Sequence, residues 1–148
     1  METIYYFKPI ICLLDDYLLF KLLFKTDKKQ LYFPKYPIEK EIKSHKQIQE
    51  QVHKLEKLFI DLNIKIANVN IIESFCLKQI TKNKSELIQV YYLFVNQLDP
   101  MKIIKKLKWL DLDTVLISKN IVWEDQQEIR NHLRDFNLIS IENDKEAD

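Results

Sequence analysis

Apolar residues along this chain change their period several times, and each change marks an element. Residues 8–14 and 17–24 are apolar runs rich in Ile, Leu and Tyr, joined by Asp15-Asp16. Two such runs around a polar dipeptide predict a β-hairpin. Thr26-Asp27-Lys28-Lys29 reads as a polar turn, and Leu31-Tyr32-Phe33 as a short strand stopped by Pro34. Residues 35–47 form a charged connection. From Ile48 the period becomes helical: Ile48, Val52, Leu55, Leu58, Phe59 and Leu62 share one arc. Glu50, His53, Lys54, Lys57 and Asp61 lie opposite, and Asn63 suits the left-handed position that ends a helix without glycine.

Residues 64–77 alternate loosely at Ile66, Val69, Ile71 and Phe75 and predict one or two strands, followed by a polar hairpin loop at 81–85. The run LIQVYYLFV at 87–95 is too apolar for an exposed edge and predicts a central strand. A basic linker at 97–106 leads to a short strand at 107–110, after which Asp111 or Asp113 can act as a cap. Residues 123–136 form a second amphipathic helix with Trp123, Ile129, Leu133 and Phe136 inward. This order predicts an α+β domain over residues 1–138, an α/β/α sandwich in which two helices flank a mixed sheet. An acidic tail occupies 139–148.

Composition refines that picture. A chain of 148 residues with 47% apolar and 11% aromatic content is one packed domain. Its net charge of +1 selects neither nucleic acid, membrane nor acidic partner. There is no glycine, where average usage gives roughly ten, and lysine outnumbers arginine 21 to 2. Compositional drift explains both biases as well as selection does, yet every turn must then be made by Asn, Asp, Lys or Pro. Cys12 and Cys76 sit in apolar runs and read as buried thiols, not as a disulfide or metal pair. No apolar run approaches the roughly 20 residues of a membrane span. The expectation is a soluble cytoplasmic or organellar protein with no membrane partner.

Residues 31–64 have the layout of a phosphate-chemistry motif: a strand, a loop, then an amphipathic helix. Phe33-Pro34-Lys35-Tyr36-Pro37-Ile38-Glu39-Lys40-Glu41-Ile42 resembles the Phe-Pro-Lys-Gly-His-x-Glu-x-Gly-Glu of the Nudix hydrolases that act on diadenosine polyphosphates. Residues 56–64 align with that family's Arg-Glu-apolar-x-Glu-Glu-x-Gly-apolar, after six extra residues. The run at 87–95 resembles the central Nudix strand, and Trp109 with Asp113 falls in a segment like the one leading to the family's last helix. The resemblance covers about residues 5–136. It implies a Nudix fold in which three helical carboxylates would hold magnesium. The matching positions are Lys57, Ile60 and Asp61: a cation, a group with no oxygen, and one carboxylate.

With so degenerate a motif, the resemblance implies a catalytically inactive domain without a cofactor. Such a pseudoenzyme would serve as a binding or assembly module, as a subunit of a ribonucleoprotein or as a binder of ATP or diadenosine polyphosphate. For the nucleotide the candidates are Lys35, Tyr36, Lys57 and Tyr92, with Lys57 supplying charge the metal once gave. For RNA they are Lys28, Lys29, Lys105, Lys106 and Lys108, set near Tyr32 and Trp109, because lysines beside rings combine phosphate contact with stacking. Near-neutral charge suits a protein anchored mainly by other proteins. The alternative is a divergent magnesium-dependent nucleoside polyphosphate hydrolase using Glu39, Glu50, Glu56 and Asp61. Against each candidate stands a plainer reading: a solvated helix face for Glu50 and His53, surface positions for His45 and His132, and ordinary solvated lysine elsewhere.

Overall fold

The run at 87–95 is apolar at almost every position because both of its faces are covered. In a computed structural model that describes residues 2–14, 20–58, 66–95, 106–134 and 136, it lies within strand β6 (Lys84–Val95). Its even positions Ile88, Val90, Tyr92 and Phe94 join one core cluster. Its odd positions Tyr91, Leu93 and Val95 join another on the opposite face. Side chains alternate across a strand, so one apolar run serves two cores.

Strand β1 (Glu2–Leu14) runs parallel to β6 over its whole length, from Glu2↔Lys84 to Leu13↔Val95. Strand β5 (Ile66–Thr81) flanks β6 antiparallel on the other side. Beyond β1 come β2 (Phe20–Asp27) and β3 (Gln30–Tyr32), giving the order β3-β2-β1-β6-β5. Strand β4 (Tyr36–Ile38) pairs with β1, and β7 (Leu107–Asp111) with β2. Helix α1 (His45–Leu58) covers one face through Val52 and Leu55. Helices α2 (Leu112–Ile117) and α3 (Trp123–Asn131) cover the other, where Val115, Ile129 and Phe136 are fully buried. The α/β/α sandwich expected from the pattern is what forms.

Several elements differ from the pattern. The hairpin at 8–24 forms, with Leu14↔Phe20 and Cys12↔Leu22 in register, but β1 begins at Glu2 because β6 offers it a ladder that far. Helix α1 starts at His45, three residues before the apolar period begins. The Ser44 hydroxyl accepts from Gln47 N (3.3 Å), and Gln47 Oε1 accepts from Ser44 N (3.0 Å). That reciprocal capping box satisfies two amides that would otherwise end the helix unpaired. The apolar pattern does not predict β4 or α2, so among the described residues three helices flank the sheet. Trp123 is 70% exposed instead of inward, because Asp125 takes the buried position in the first turn of α3. Asn63, Asp15-Asp16 with the first residues of the second apolar run, most of the basic linker and the acidic tail lie outside the described residues.

Two turns show how a chain without glycine manages. Lys28 and Lys29 have φ of 48° and 69° between the paired Asp27 and Gln30, the left-handed pair a two-residue hairpin needs. Asp111, at the end of β7, caps α2 by accepting from Thr114 N at 2.8 Å.

Replacing Lys28-Lys29 by Asn-Gly should raise stability by about 1–2 kcal/mol in chemical denaturation, since left-handed backbone is costly for non-glycine residues. The Asp111 carboxyl is held below its ordinary value by hydrogen bonds from the Thr114 hydroxyl and backbone N–H, helped by Lys21 across the ladder. A lowered folded value contributes stability above the unfolded value and loses it as pH falls through the folded one. Asp111→Ala should therefore cost about 1 kcal/mol near neutrality. The gap to the unmodified protein should close below the ordinary carboxylate range.

Candidate binding cleft beside the first helix

After β3 the chain passes Pro34, pairs briefly as β4 against β1 at Tyr5–Phe7 positions, then crosses to α1. Between β4, the loop after it and α1 opens a cleft of about 660 Å³. Its floor is apolar: Phe7, Ile42 and Leu55 are buried core residues. Its rim carries Glu39 and Lys40 from the loop and Glu50 and Lys54 from α1, all exposed. Glu50 and Lys54 are four apart and so share one side of the helix. Tyr36 and Pro37 close the β4 side. Tyr36 is half-buried, and that burial, with Tyr32 nearby, raises its phenol above the ordinary value.

Side-chain hydrogen bonds, not glycine, hold the loop in place. Gln89 on β6 is 1% exposed. Its Oε1 accepts from Ile42 N at 2.7 Å, and its Nε2 donates to Ile42 O at 2.9 Å. One primary amide thus satisfies both backbone groups of a buried residue, as a neighbouring strand would. Upstream, Asp125 of α3 accepts from Phe33 N at 2.9 Å and bonds the Lys8 ammonium of β1. This buried carboxylate ties the entry to the motif to the opposite layer. Nothing in the helical period or the motif marks Gln89, Asp125 or Lys8; a polar residue inside the most apolar run is the one available signal for Gln89.

The candidate residues separate into groups. Glu39, Glu50 and Tyr36 meet at the cleft. Lys57 is exposed at the last turn of α1, and Glu56 beside it is half-buried and engaged in an interaction of its own. Lys35 sits outside the cleft, 3.3 Å from Glu86 and over the Tyr6 ring at 4.3 Å. Tyr92 does not join them. It is fully buried on the α3 face, its hydroxyl donating to Glu128 at 2.9 Å and its ring edge-on to Phe136. Its sequence neighbour Tyr91 lies on the α1 face and is also buried, against Phe7. His132 is no plain surface residue either: it lies 3.2 Å from Glu128 and edge-on to Tyr92. Cys12 is buried, and burial raises its thiol well above the ordinary value. Ile60, Asp61 and Lys105, and the side chain of Cys76, lie outside the described residues.

The described residues do not assemble a magnesium site. Among them no three His, Cys, Asp or Glu side chains group as metal ligands, and lysines alternate with the two carboxylates of the rim. Nor is any helix among the described residues long and apolar enough to cross a membrane.

No protein-family model matches the sequence, and no curated protein does. Solved structures match it over nearly the whole chain. The Nudix domain of Shewanella oneidensis NrtR, in complex with ADP-ribose, is similar at a TM-score of 0.58 and 11% identity, over 90% of this chain and 88% of that one. A Nudix-family hydrolase from Clostridium perfringens is similar at 0.57 and 17%, over 94% and 99%. The C. elegans Ap4A hydrolase is similar at 0.57 and 12%, over 93% and 98%. The chain has the Nudix fold. At such identities the likeness is one of backbone.

Gln89→Leu would strip Ile42 of both partners in a buried setting, a loss of about 2–4 kcal/mol. Native-state hydrogen exchange should show the Ile42 amide losing protection before the β1–β6 ladder does.

Proposed function

We propose that this chain is a Nudix-fold binding module that holds a phosphate-bearing nucleotide without hydrolysing it, and that it works as a subunit of a larger assembly. The observation that carries the reading is the exposed Lys57, standing where the resemblance assigns the first metal-binding carboxylate. A fixed ammonium at that place repels a divalent ion and attracts the phosphate the ion would have neutralised. Lys40 and Lys54 line the neighbouring cleft and offer the same charge, while the apolar floor of Phe7 and Leu55 suits the face of a base or sugar. The Nudix neighbour crystallised with ADP-ribose supports a nucleoside carrying a di- or polyphosphate chain as ligand of this fold, such as ATP or diadenosine polyphosphate. Lys35, already bonded to Glu86, serves the shape of the entry more than the ligand.

Calorimetry with ATP and diadenosine tetraphosphate, with and without magnesium, tests the reading. Binding should occur without metal, weaken when magnesium masks the phosphates, and fall at least tenfold in Lys54→Glu. Incubation with nucleoside diphosphate derivatives plus magnesium or manganese should give no turnover. Turnover that Glu50→Gln or Glu56→Gln abolishes would establish a divergent hydrolase instead.

A further inference from the structure

The lysines that the sequence scatters over three segments converge at one edge of the sheet. Lys28 and Lys29 form the tip of the β2–β3 hairpin. On one side of it, Thr26 N donates to Lys106 O at 2.9 Å, which holds Lys106 and, two residues on, Lys108 beside β2. On the other side, Leu31 N donates to Asn120 O and Val122 N to Leu31 O, both at 2.9 Å. The bridge Leu31↔Ile121 is parallel, so Lys119 runs alongside Lys29. All five lysines are exposed, and none has an ion-pair partner among the described residues. Asp27 is the acid the hairpin contributes. A chain with net charge +1 thus gathers a local excess of positive charge on three segments that lie side by side as four strands. At strand spacing that row is roughly 14 Å wide.

Backbone conformation adds a second, independent observation. Among the described residues, those with left-handed φ are Lys28, Lys29 and Lys106, at 48°, 69° and 72°. Without glycine, Asn and Asp are the residues that tolerate this region best, and this chain uses asparagine freely. Lysine at all three places is the conformationally poorer choice, made at three of the five points where this edge displays charge. Trp123, 70% exposed, comes directly after the segment that lines β3. Ammonium groups beside a segment that also carries an exposed indole, four residues on from Lys119, suit a linear polyanion whose bases can stack.

We propose that this edge, formed by Lys28, Lys29, Lys106, Lys108, Lys119 and Trp123, binds single-stranded nucleic acid through its phosphates and one stacked base. It shares no residue with the cleft, so the two activities are separable. Net charge conceals it, because it averages these five lysines with every carboxylate of the chain, Asp27 in the hairpin and Glu124 after Trp123 included.

Fluorescence anisotropy of the full chain with a labelled twelve-residue oligouridylate, titrated between 50 and 200 mM salt, is the test. Binding should weaken with salt at a log–log slope of about −3. The variant Lys28→Asn/Lys29→Gly/Lys119→Gln removes charge while suiting the left-handed turn, so it should melt no lower than the unmodified protein. It should bind at least tenfold more weakly, with a slope shallower by about 2. Trp123→Ala should weaken binding several-fold and leave the slope unchanged. Absence of binding at 50 mM salt, or undiminished binding by the triple variant, would sink the proposal. So would equal affinity for a duplex of the same length, or preference for phosphatidylserine vesicles over the oligonucleotide.

Discussion

The parallel ladder between β1 and β6 is the constraint on which the rest of the domain depends. Its strands are far apart in the chain: Thr3 and Ser85, whose hydroxyls meet at 3.1 Å, are 82 positions apart. Parallel strands cannot be joined by a tight turn, so everything between them must travel out and back. The traverse lays β2, β3 and β4 along the far side of β1, places α1 over one face and returns through β5. The chain beyond β6 must then cover the other face, which α2 and α3 do. The cleft lies in the outward traverse, where β4 turns away from β1 toward α1.

That traverse has no glycine to shape it, and polar side chains take over the task. Gln89 gives Ile42 the two hydrogen bonds of a strand partner, from a position within the most apolar stretch of the chain. Asp125 does the same for Phe33 N while neutralising Lys8. Each is nearly without solvent exposure, where a polar group without a partner is costly. Their geometry is therefore tightly coupled to the strands that bury them. The cleft is held from both layers of the sandwich, although only one layer lines it.

Charge shows the same division between global and local. Over the whole chain positive and negative charges nearly cancel, and around the cleft rim they alternate. Along the β2–β3 hairpin and its neighbours they do not. The fold brings Lys106 and Lys119 to either side of Lys28 and Lys29, concentrating a charge that composition averages away. Screening over about 8–10 Å at physiological salt lets such a patch act independently of carboxylates that lie farther off than that.

The apolar periods of the sequence determined much of this protein. β6 as a central strand, the β1–β2 hairpin, the inner face of α1 and the sandwich itself were all legible, because burial of alternate or every-third-and-fourth residues is a local signature of the face to be covered. The tertiary structure alone decided that Tyr92 faces α3 and not the cleft, because a one-residue alternation assigns faces only once the layers are known. It also decided that Asp125, not Trp123, points inward, because the bare N–H of Phe33 and the Lys8 ammonium demand a carboxylate there. Gln89 and the lysine edge belong to the same class. Their partners lie tens of residues away, and no local pattern records a hydrogen bond or a charge patch that exists only when distant strands meet.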